Sequence, residues 1–253
     1  MQEVITLNGQ DFNQRELLRP LMYGEGVFET FRYKGGLPKQ IKKHYRRLMH
    51  GANFLKIPVI TYDDYIYYIE KTVEKLEDKT DLYVKTVLLS TGNLYYPLLP
   101  DGYRLLVIAK PYTPPNLEKV QLVIAPFKVH SSDPILKIKS TNFLRNIVAK
   151  RYALEKGFFD ALFLNEENHI TETTSANIFW VKNNFLYTPS LDCGLLNGVM
   201  RQTVIENAKK LRFKVKEGHF TLEDLEDAQV IFLTNSLNGI IRVHAIENLG
   251  GKR

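Results

Sequence analysis

The chain contains a single cysteine, Cys193, among its 253 residues. It also has no stretch that approaches the roughly 20 apolar residues that a membrane span needs. One cysteine excludes an internal disulfide framework and suits a reducing cytoplasm. The N-terminal segment MQEVITLNGQDF lacks the basic part followed by an apolar part that marks a signal peptide. We therefore expect a cytoplasmic protein with no membrane partner.

A concentrated basic patch is missing too, although the net charge is +6 and the pI is about 9.1. The basic residues are spread along the chain, and the densest run, at 39–47, is interrupted by Ile41, His44 and Tyr45. No nucleic-acid-binding motif surrounds this run. A small anionic ligand accounts for the charge as well as an anionic polymer does, and we expect no nucleic-acid partner.

The histidines show no metal-ligand spacing, so no metal site is expected. Cys193 has no histidine partner in a recognisable nucleophile pattern, and we interpret it as a small packing residue.

Hydrophobic periodicity predicts helices and strands that are mixed along the chain rather than strictly alternating. Strands are expected at 4–7, 26–33, 82–89, 103–109, 120–125, 160–165, 176–182, 185–188, 229–233 and 240–245. Helices are expected at 41–55, from Thr61 onwards, at 143–156, just after Gly198 and, as a short element, at 221–227. This mixture favours an α+β fold over a doubly wound sheet.

Prolines at positions 111, 114 and 115 interrupt this pattern within five residues. We interpret residues 111–117 as a linker. It separates a small α/β domain at 1–110 from a larger domain at 118–253.

Two segments carry a family resemblance, Tyr23-Gly-Glu-Gly-Val-Phe-Glu-Thr and Lys139-Ser-Thr-Asn-Phe-Leu-Arg-Asn. Further landmarks follow around Glu172, Gly198 and Thr234. Their types and order resemble those of the fold type IV pyridoxal-phosphate enzymes, the class IV aminotransferase family. That family includes branched-chain aminotransferases, D-amino acid transaminases and aminodeoxychorismate lyases, and the resemblance extends from Tyr23 to about Val243.

The resemblance implies an enzyme with the two-domain α+β fold of the D-amino acid aminotransferase-like proteins. It implies that pyridoxal 5'-phosphate lies between the domains and that the larger domain binds it. Because the family is typically homodimeric, a homodimer that acts on a small molecule is expected.

Taken alone, Lys139 would be a solvated surface lysine. The resemblance implies instead that its amine forms a Schiff base with the cofactor and then moves protons at the substrate carbon. Lys137 stays an alternative, since in an extended segment it would point the same way. Glu172 matches the family's carboxylate that pairs with the pyridine nitrogen and keeps it protonated, so that the ring withdraws electrons.

The family resemblance also implies which residues bind the cofactor phosphate. Arg47 resembles the family's phosphate-binding arginine in a His-x-x-Arg-Leu pattern, whereas the neighbouring Arg46 is interpreted as solvated. The amides of Gly198 and Val199 lie at an expected helix start, where the helix dipole favours an anion. Ser236 aligns with a hydroxyl near the same phosphate.

Within the family, the segment Thr234-Asn-Ser-Leu most resembles the aminodeoxychorismate lyases, in which Asn-Ser/Ala-Leu recurs. The segment 90–98 replaces the arginine-containing loop with which D-amino acid transaminases hold the substrate carboxylate, and Tyr95 falls about there. Branched-chain aminotransferases have an arginine where this chain has Lys85, and a tyrosine where it has Leu144. Both departures weaken the transaminase interpretations.

These features favour a lyase that converts 4-amino-4-deoxychorismate to 4-aminobenzoate and pyruvate in folate biosynthesis. Lys85 and Asn235 are candidate substrate contacts, and Thr30 is a candidate proton donor to the departing enolpyruvyl group. The nearest alternative is a transaminase of branched-chain L-amino acids or D-amino acids. A binding protein that has lost the cofactor, or an anion- or nucleic-acid-binding module, would not need Lys139, Glu172 and Arg47 together.

Overall fold

The computed structural model describes residues 4–9, 18–93, 95–247 and 249. The chain forms two compact units. The first comprises the chain up to Thr113 together with Ile138–Asn142, and the second comprises Pro114–Lys137 and the chain from Phe143 onwards. Helices and strands are mixed in each unit, and the predicted α+β class is confirmed. The unit boundary falls within the segment expected to be a linker, but Pro111 is still part of a strand.

Four described strands form an antiparallel sheet in the first unit: β1 (Val4–Leu7), β2 (Gly26–Tyr33), β3 (Leu82–Thr91) and β4 (Gly102–Pro111). Their spatial order is β1-β4-β3-β2. The accompanying helices are α1 (Leu18–Tyr23), α2 (Ile41–Phe54) and α3 (Tyr62–Val73). Apolar residues of α2 and α3, such as Leu48 and Ile69, pack with the sheet to form the core of this unit.

Helix α2 lies very close to strand β2. A Cβ atom placed on Gly51 of the helix would come 2.7 Å from Cγ1 of Val27, so only glycine permits this approach. Because side chains alternate along a strand, Val27, Glu29 and Phe31 share one face of β2, and Phe28 and Thr30 share the other. Glu29 is therefore the polar residue between two buried apolar ones.

The segment Ile138–Asn142 adds to the free edge of β2, although residues 118–253 were expected to form the larger domain. Val27 and Ser140 form an antiparallel bridge. The N–H of Phe28 donates to the carbonyl of Lys139 at 2.8 Å, and the N–H of Thr141 donates to the carbonyl of Gly26 at 2.8 Å. These backbone hydrogen bonds explain why the segment belongs to the first unit.

Eight described strands form a mixed sheet in the second unit: β5 (Val120–Ile124), β6 (Asp160–Leu164), β7 (Ile170–Thr173), β8 (Asn177–Lys182), β9 (Phe185–Pro189), β10 (Lys214–Gly218), β11 (Val230–Asn235) and β12 (Gly239–Ile246). They lie in the order β10-β9-β8-β11-β12-β5-β6-β7, and an additional pairing of β7 with β8 closes six of them into a ring. All six contribute buried apolar side chains to one core, among them Leu122, Trp180 and Leu233.

Two helices pack against this second sheet. Helix α4 (Leu144–Glu155) buries Ala149 and Ala153 beside β5 and β6. Helix α5 (Val199–Lys210) buries Ile205 and Ala208 beside β8 and β9. None of the helices in the described part of the chain is both long and apolar enough to cross a membrane.

Among the described α-helices and β-strands, α1, β7 and β10 were not expected from the sequence. Strand β7 has only four residues, and β10 carries exposed lysine and glutamate side chains, so neither shows a usable alternation of apolar and polar residues. Strand β10 forms by parallel pairing with β9, a contact between residues far apart in sequence. The expected helix at 221–227 is a 3₁₀ turn at Leu222–Leu225.

We expect Thr61→Ala to lower the free energy of unfolding by about 1 kcal/mol, because Thr61 caps α3. Its Oγ1 accepts the N–H of Asp64 at 3.1 Å, and alanine would leave that donor without its side-chain acceptor. Urea unfolding followed by circular dichroism measures the change. Thr113→Ala, at an exposed position outside the helices, is the control and should stay within about 0.5 kcal/mol of wild type.

Candidate functional site

Lys139 presents its amine to the ring of Phe28 in the first unit. The backbone pairing with β2 leaves Ile138 buried towards Gly51 of α2, so the next side chain, that of Lys139, leaves on the opposite face. The Lys139 Nζ lies 4.4 Å from the Phe28 ring centroid, a cation–π distance, and the side chain is half-buried. The amine is therefore held in place yet within reach of a ligand.

Lys137 does not share this position. It ends the 3₁₀ turn Pro134–Lys137, belongs to the second unit and is exposed. Lys137 would point the same way as Lys139 only if the segment were extended, and the 3₁₀ turn shows that it is not extended at Lys137.

A second amine lies at the same ring. The Lys85 Nζ is 4.5 Å from the Phe28 centroid, and Lys85 stands directly opposite Thr30 in the pairing of β2 with β3. Paired residues point to the same face of a sheet, so Lys85, Thr30 and Phe28 share one face. Burial lowers the pKa of the Lys85 amine below its ordinary value. An approaching anion would counter this effect by favouring the charged form.

Arg47 contacts a carboxylate on β2. Its Nε and Nη2 donate to the two oxygens of Glu29, each at 2.7 Å. Nδ1 of His44, one helical turn before Arg47, lies 2.6 Å from Oε2 of the same carboxylate. Burial opposes ionisation of Glu29, but the charges and hydrogen bonds of Arg47 and His44 outweigh it and lower its pKa to about 2. The neighbouring Arg46 is exposed, as expected.

The loop at 90–98, which replaces the arginine-containing loop of D-amino acid transaminases, is held by an arginine from another part of the chain. Arg19 is buried, and its guanidinium donates to the carbonyls of Asn93 and, at 2.7 Å, of Leu98. Its Nε also donates to Glu25 at 2.5 Å. Arg19 therefore fixes the backbone of the loop, while the Tyr95 side chain is 64% exposed.

In the second unit, three polar residues form a row across adjacent strands. Glu172 of β7 pairs with Asn177 of β8, and Asn177 pairs with Thr234 of β11. Their side chains therefore share one face of the sheet. Asn177 and Thr234 are buried, and Oγ1 of Thr234 has no hydrogen-bond partner within the described residues.

The carboxylate of Glu172 is oriented by donors on both oxygens. The N–H of Leu196 donates to Oε1 at 3.1 Å, and Nδ2 of Asn177 donates to Oε2 at 3.2 Å. Burial lowers the pKa of Arg145, near the start of α4, and the negative charges of Glu172 and Asp133 partly oppose this shift. Glu172 is thus held by neutral donors, with a cation in its electrostatic field.

The start of α5 packs against the same row. Nδ2 of Asn177 donates to the carbonyl of Leu196 at 3.0 Å. A Cβ on Gly198, the residue before the helix, would lie 1.9 Å from Oδ1 of Asn177, so no larger residue fits. Glycine also brings no side chain that would cover the first amides of α5. The predicted helix start at Gly198 is confirmed.

Ser236 and Asn235 lie at the turn between β11 and β12. The Oδ1 atom of Asn235 accepts the N–H groups of Leu237 at 3.1 Å and Asn238 at 2.8 Å. The side chain of Asn235 therefore shapes the turn that carries Ser236, which is half-buried. Through Thr234, the same turn continues the row formed with Glu172.

Cys193 is buried, and burial raises the pKa of its thiol to about 11. Its Sγ donates to the carbonyl of Gly218 at 3.7 Å. Asp192 and His219 lie beside it, but they form an ion pair with each other at 3.0 Å. A protonated, buried thiol is consistent with a packing role and not with a nucleophile.

The sequence analysis gave no role to four residues that contact or adjoin the expected site residues: Glu29, Asn177, Thr234 and Arg145. Glu29 had a signal, because a carboxylate between Val27 and Phe31 on an apolar strand face requires buried partners. Asn177 had a weaker one, as an amide at the start of an apolar strand. Arg145 and Thr234 lie within segments that carry the family resemblance, but nothing in the local sequence indicated a role for either side chain.

The donor set in the second unit fits a flat heteroaromatic cation that carries a phosphate. A fixed carboxylate suits a ring N–H, and the amides at the start of α5 suit an anion. The buried Thr234 hydroxyl offers a further donor beside them. In the first unit, the Lys139 amine suits a carbonyl carbon of the same kind of molecule.

Comparison with known proteins agrees with this chemistry. A model of the amino-transferase class IV family matches residues 26–246. An aminodeoxychorismate lyase from Bacillus subtilis (strain 168) is 31% identical over 265 residues, covering 97% of this chain and 87% of that protein. A probable branched-chain-amino-acid aminotransferase from Rickettsia felis is 32% identical, covering 94% and 82%. The crystal structure of a putative 4-amino-4-deoxychorismate lyase from Legionella pneumophila superimposes with a TM-score of 0.87 at 33% identity, covering 94% and 88%.

We expect Gly198→Ala to lower the free energy of unfolding by about 1–3 kcal/mol, because its Cβ would overlap Oδ1 of Asn177 and force the strand and α5 apart. Urea unfolding of the purified protein measures the loss. Gly36→Ala is the matched control, since a Cβ there meets nothing within 4 Å, and it should change the value by less than about 1 kcal/mol. Equal effects of the two substitutions would contradict the close packing of Gly198.

Proposed function

Because the chain belongs to the amino-transferase class IV family, we propose that it is a pyridoxal-phosphate-dependent lyase that converts 4-amino-4-deoxychorismate to 4-aminobenzoate and pyruvate. The observation that carries the proposal is the turn Thr234-Asn235-Ser236-Leu237, whose sequence is lyase-like and whose Asn235 shapes its backbone. The likeness to the lyase from Bacillus subtilis and to the putative lyase from Legionella pneumophila supports it.

The cofactor of this family, pyridoxal 5'-phosphate, supplies an electron-withdrawing ring that stabilises negative charge on a substrate carbon. Lys139 would hold its carbonyl carbon, and Glu172 would hold its ring nitrogen. The groups assigned to its phosphate are the Arg47 guanidinium, the amides of Gly198 and Val199, and the Ser236 hydroxyl.

Lys139 is the base of the proposed reaction. Its amine would remove the proton from the substrate ring carbon that bears the substrate amine. Its place on the Phe28 ring restricts where the amine can move, which supports the assignment. Loss of this proton and departure of the enolpyruvyl oxygen from the adjacent carbon make the substrate ring aromatic.

Glu172 would place a negative charge at the ring nitrogen of the cofactor. Leu196 and Asn177 fix both of its oxygens, so the carboxylate need not reorganise when charge develops. This pre-organisation supports its assignment as the partner of the pyridinium.

Lys85, Thr30 and Asn235 are proposed to act on the substrate. Lys85 can bind one of the two substrate carboxylates, and its position at the Phe28 ring beside Lys139 supports this role. Thr30, opposite Lys85 on β2, is proposed to donate a proton to the departing enolpyruvyl methylene. The Asn235 Oδ1 is engaged in the turn, so its Nδ2 would provide the substrate contact.

A transaminase remains the second candidate because a probable branched-chain aminotransferase is as similar as the lyase relative. Against it stands the loop at 90–98, which lacks a carboxylate-binding arginine of its own. Arg19 contacts the backbone of this loop and Glu25, so that its guanidinium is engaged in structural contacts.

We further propose that the enzyme is a homodimer that works in the cytoplasm and serves folate biosynthesis. The family resemblance supports the dimer, and the single, buried and protonated thiol of Cys193 suits a reducing compartment. The product 4-aminobenzoate is the link to folate.

Lys139→Ala should remove the visible absorbance band of the lysine-bound cofactor and abolish turnover, because alanine has no amine to bond the cofactor's carbonyl carbon. Lys137→Ala is the matched control, exposed at the end of the 3₁₀ turn, and should keep both the band and the activity. Absorbance spectra of the purified variants show which lysine binds the cofactor. The reverse pattern would show that Lys137 is the cofactor lysine.

The type of reaction has its own test. Supplied with 4-amino-4-deoxychorismate and no keto acid, the protein should release equal amounts of 4-aminobenzoate and pyruvate, because a lyase needs no amino acceptor. Chromatography of both products measures this ratio. Incubation with D-alanine or branched-chain L-amino acids alone is the comparison. Conversion of the cofactor to its amine form there, reversed by 2-oxoglutarate, with no product from aminodeoxychorismate, would establish a transaminase instead.

A further inference from the structure

Glu29 is a fully buried carboxylate to which the proposed reaction gives no task. Its side chain is 0% exposed and lies on the α2 side of β2. The two oxygens accept Nε and Nη2 of Arg47, and Oε2 also lies within hydrogen-bond distance of Nδ1 of His44. Because burying a carboxylate costs free energy, its presence in the core indicates a specific role for Glu29.

The paired contact fixes the orientation of the Arg47 guanidinium. Two parallel N–H···O bonds define the plane of the guanidinium and its rotation within that plane, which one bond would not do. Because Nε and Nη2 point at Glu29, the Nη1 edge is directed away from it. The Arg47 side chain is 11% exposed, so little of it can move into solvent.

Net stabilisation does not explain the pair. Removing two charges from water costs about as much free energy as their attraction returns, so buried ion pairs contribute little to stability. They do define geometry. His44, held one turn earlier on α2, adds a third contact that prevents the carboxylate from rotating away from Arg47.

We infer that Glu29 is a positioning residue that sets Arg47 for the cofactor phosphate. The inference rests on the proposed function, in which Arg47 contacts that phosphate. The Glu29 carboxylate contacts His44 and Arg47, and it would act by holding the guanidinium in one orientation. Removal of the carboxylate charge would therefore weaken recognition of the phosphate group specifically.

The test compares two ligands that differ only in the phosphate, pyridoxal phosphate and pyridoxal. Their dissociation constants are measured by absorbance titration of cofactor-stripped full-length protein for wild type, Glu29→Gln and Arg47→Gln. Both variants should weaken pyridoxal phosphate about tenfold or more and pyridoxal less than about twofold. A merely structural role of Glu29 would weaken both ligands equally, and that result would overturn the inference.

Glu25→Gln is the matched control, because Glu25 also pairs with an arginine in the first unit, Arg19. It should leave the ratio of the two affinities unchanged. In the double variant, Glu29→Gln should add no further loss once Arg47 is glutamine, whereas an additive loss would contradict action through Arg47. If Glu29→Gln does not fold, Glu29→Asp replaces it, because aspartate keeps the charge on a shorter side chain. This variant should still lower the ratio of the affinity for pyridoxal phosphate to the affinity for pyridoxal. An unchanged ratio would overturn the inference.

The outcomes separate this inference from the proposed function. A wild-type protein that binds neither ligand would refute the cofactor-dependent function itself. An Arg47→Gln variant with an unchanged ratio would remove both Arg47 and Glu29 from phosphate recognition. A lowered ratio for Arg47→Gln with an unchanged ratio for Glu29→Gln would refute only the positioning role.

Discussion

The backbone hydrogen bonds between β2 and Ile138–Asn142 are the constraint on which the first unit's chemistry depends. They make the segment follow the alternation of the sheet, so Ile138 is buried towards α2 and Lys139 emerges beside Phe28. A shift by one residue would exchange the two faces and bury the amine. The same strand carries Glu29 on its other face, so one strand supports both the amine proposed to bind the cofactor and the arginine assigned to the phosphate.

The second unit reaches its arrangement through ring closure. The pairing of β7 with β8 brings Glu172 beside Asn177, and Asn177 in turn fixes both the carboxylate and the turn before α5. Both contacts of Asn177 depend on glycine at position 198, because a side chain there would occupy the space of the Asn177 amide. One amide thus joins the carboxylate assigned to the ring nitrogen and the helix start assigned to the phosphate.

The two carboxylates illustrate how surroundings decide the use of a charge. Glu29 faces Arg47 and His44 in the core, which hold it ionised and satisfied. Glu172 is held by neutral N–H donors, with Arg145 acting on it through charge. In the proposed function, Glu172 faces the cationic ring nitrogen of the cofactor, and Glu29 orients Arg47.

Local sequence determined the strand at 26–33, the helix at 41–54, the cap at Thr61 and the helix after Gly198, because alternation, helical spacing and capping act over a few residues. The family resemblance pointed to Lys139, Glu172 and Arg47. Only the tertiary structure decided that Lys137 lies in a turn, that β7 exists, and that Glu29, Asn177 and Arg145 surround the expected residues. Their partners are distant in the chain, as Leu196 is from Glu172, and no local pattern records a hydrogen bond that forms only when two separated strands pair.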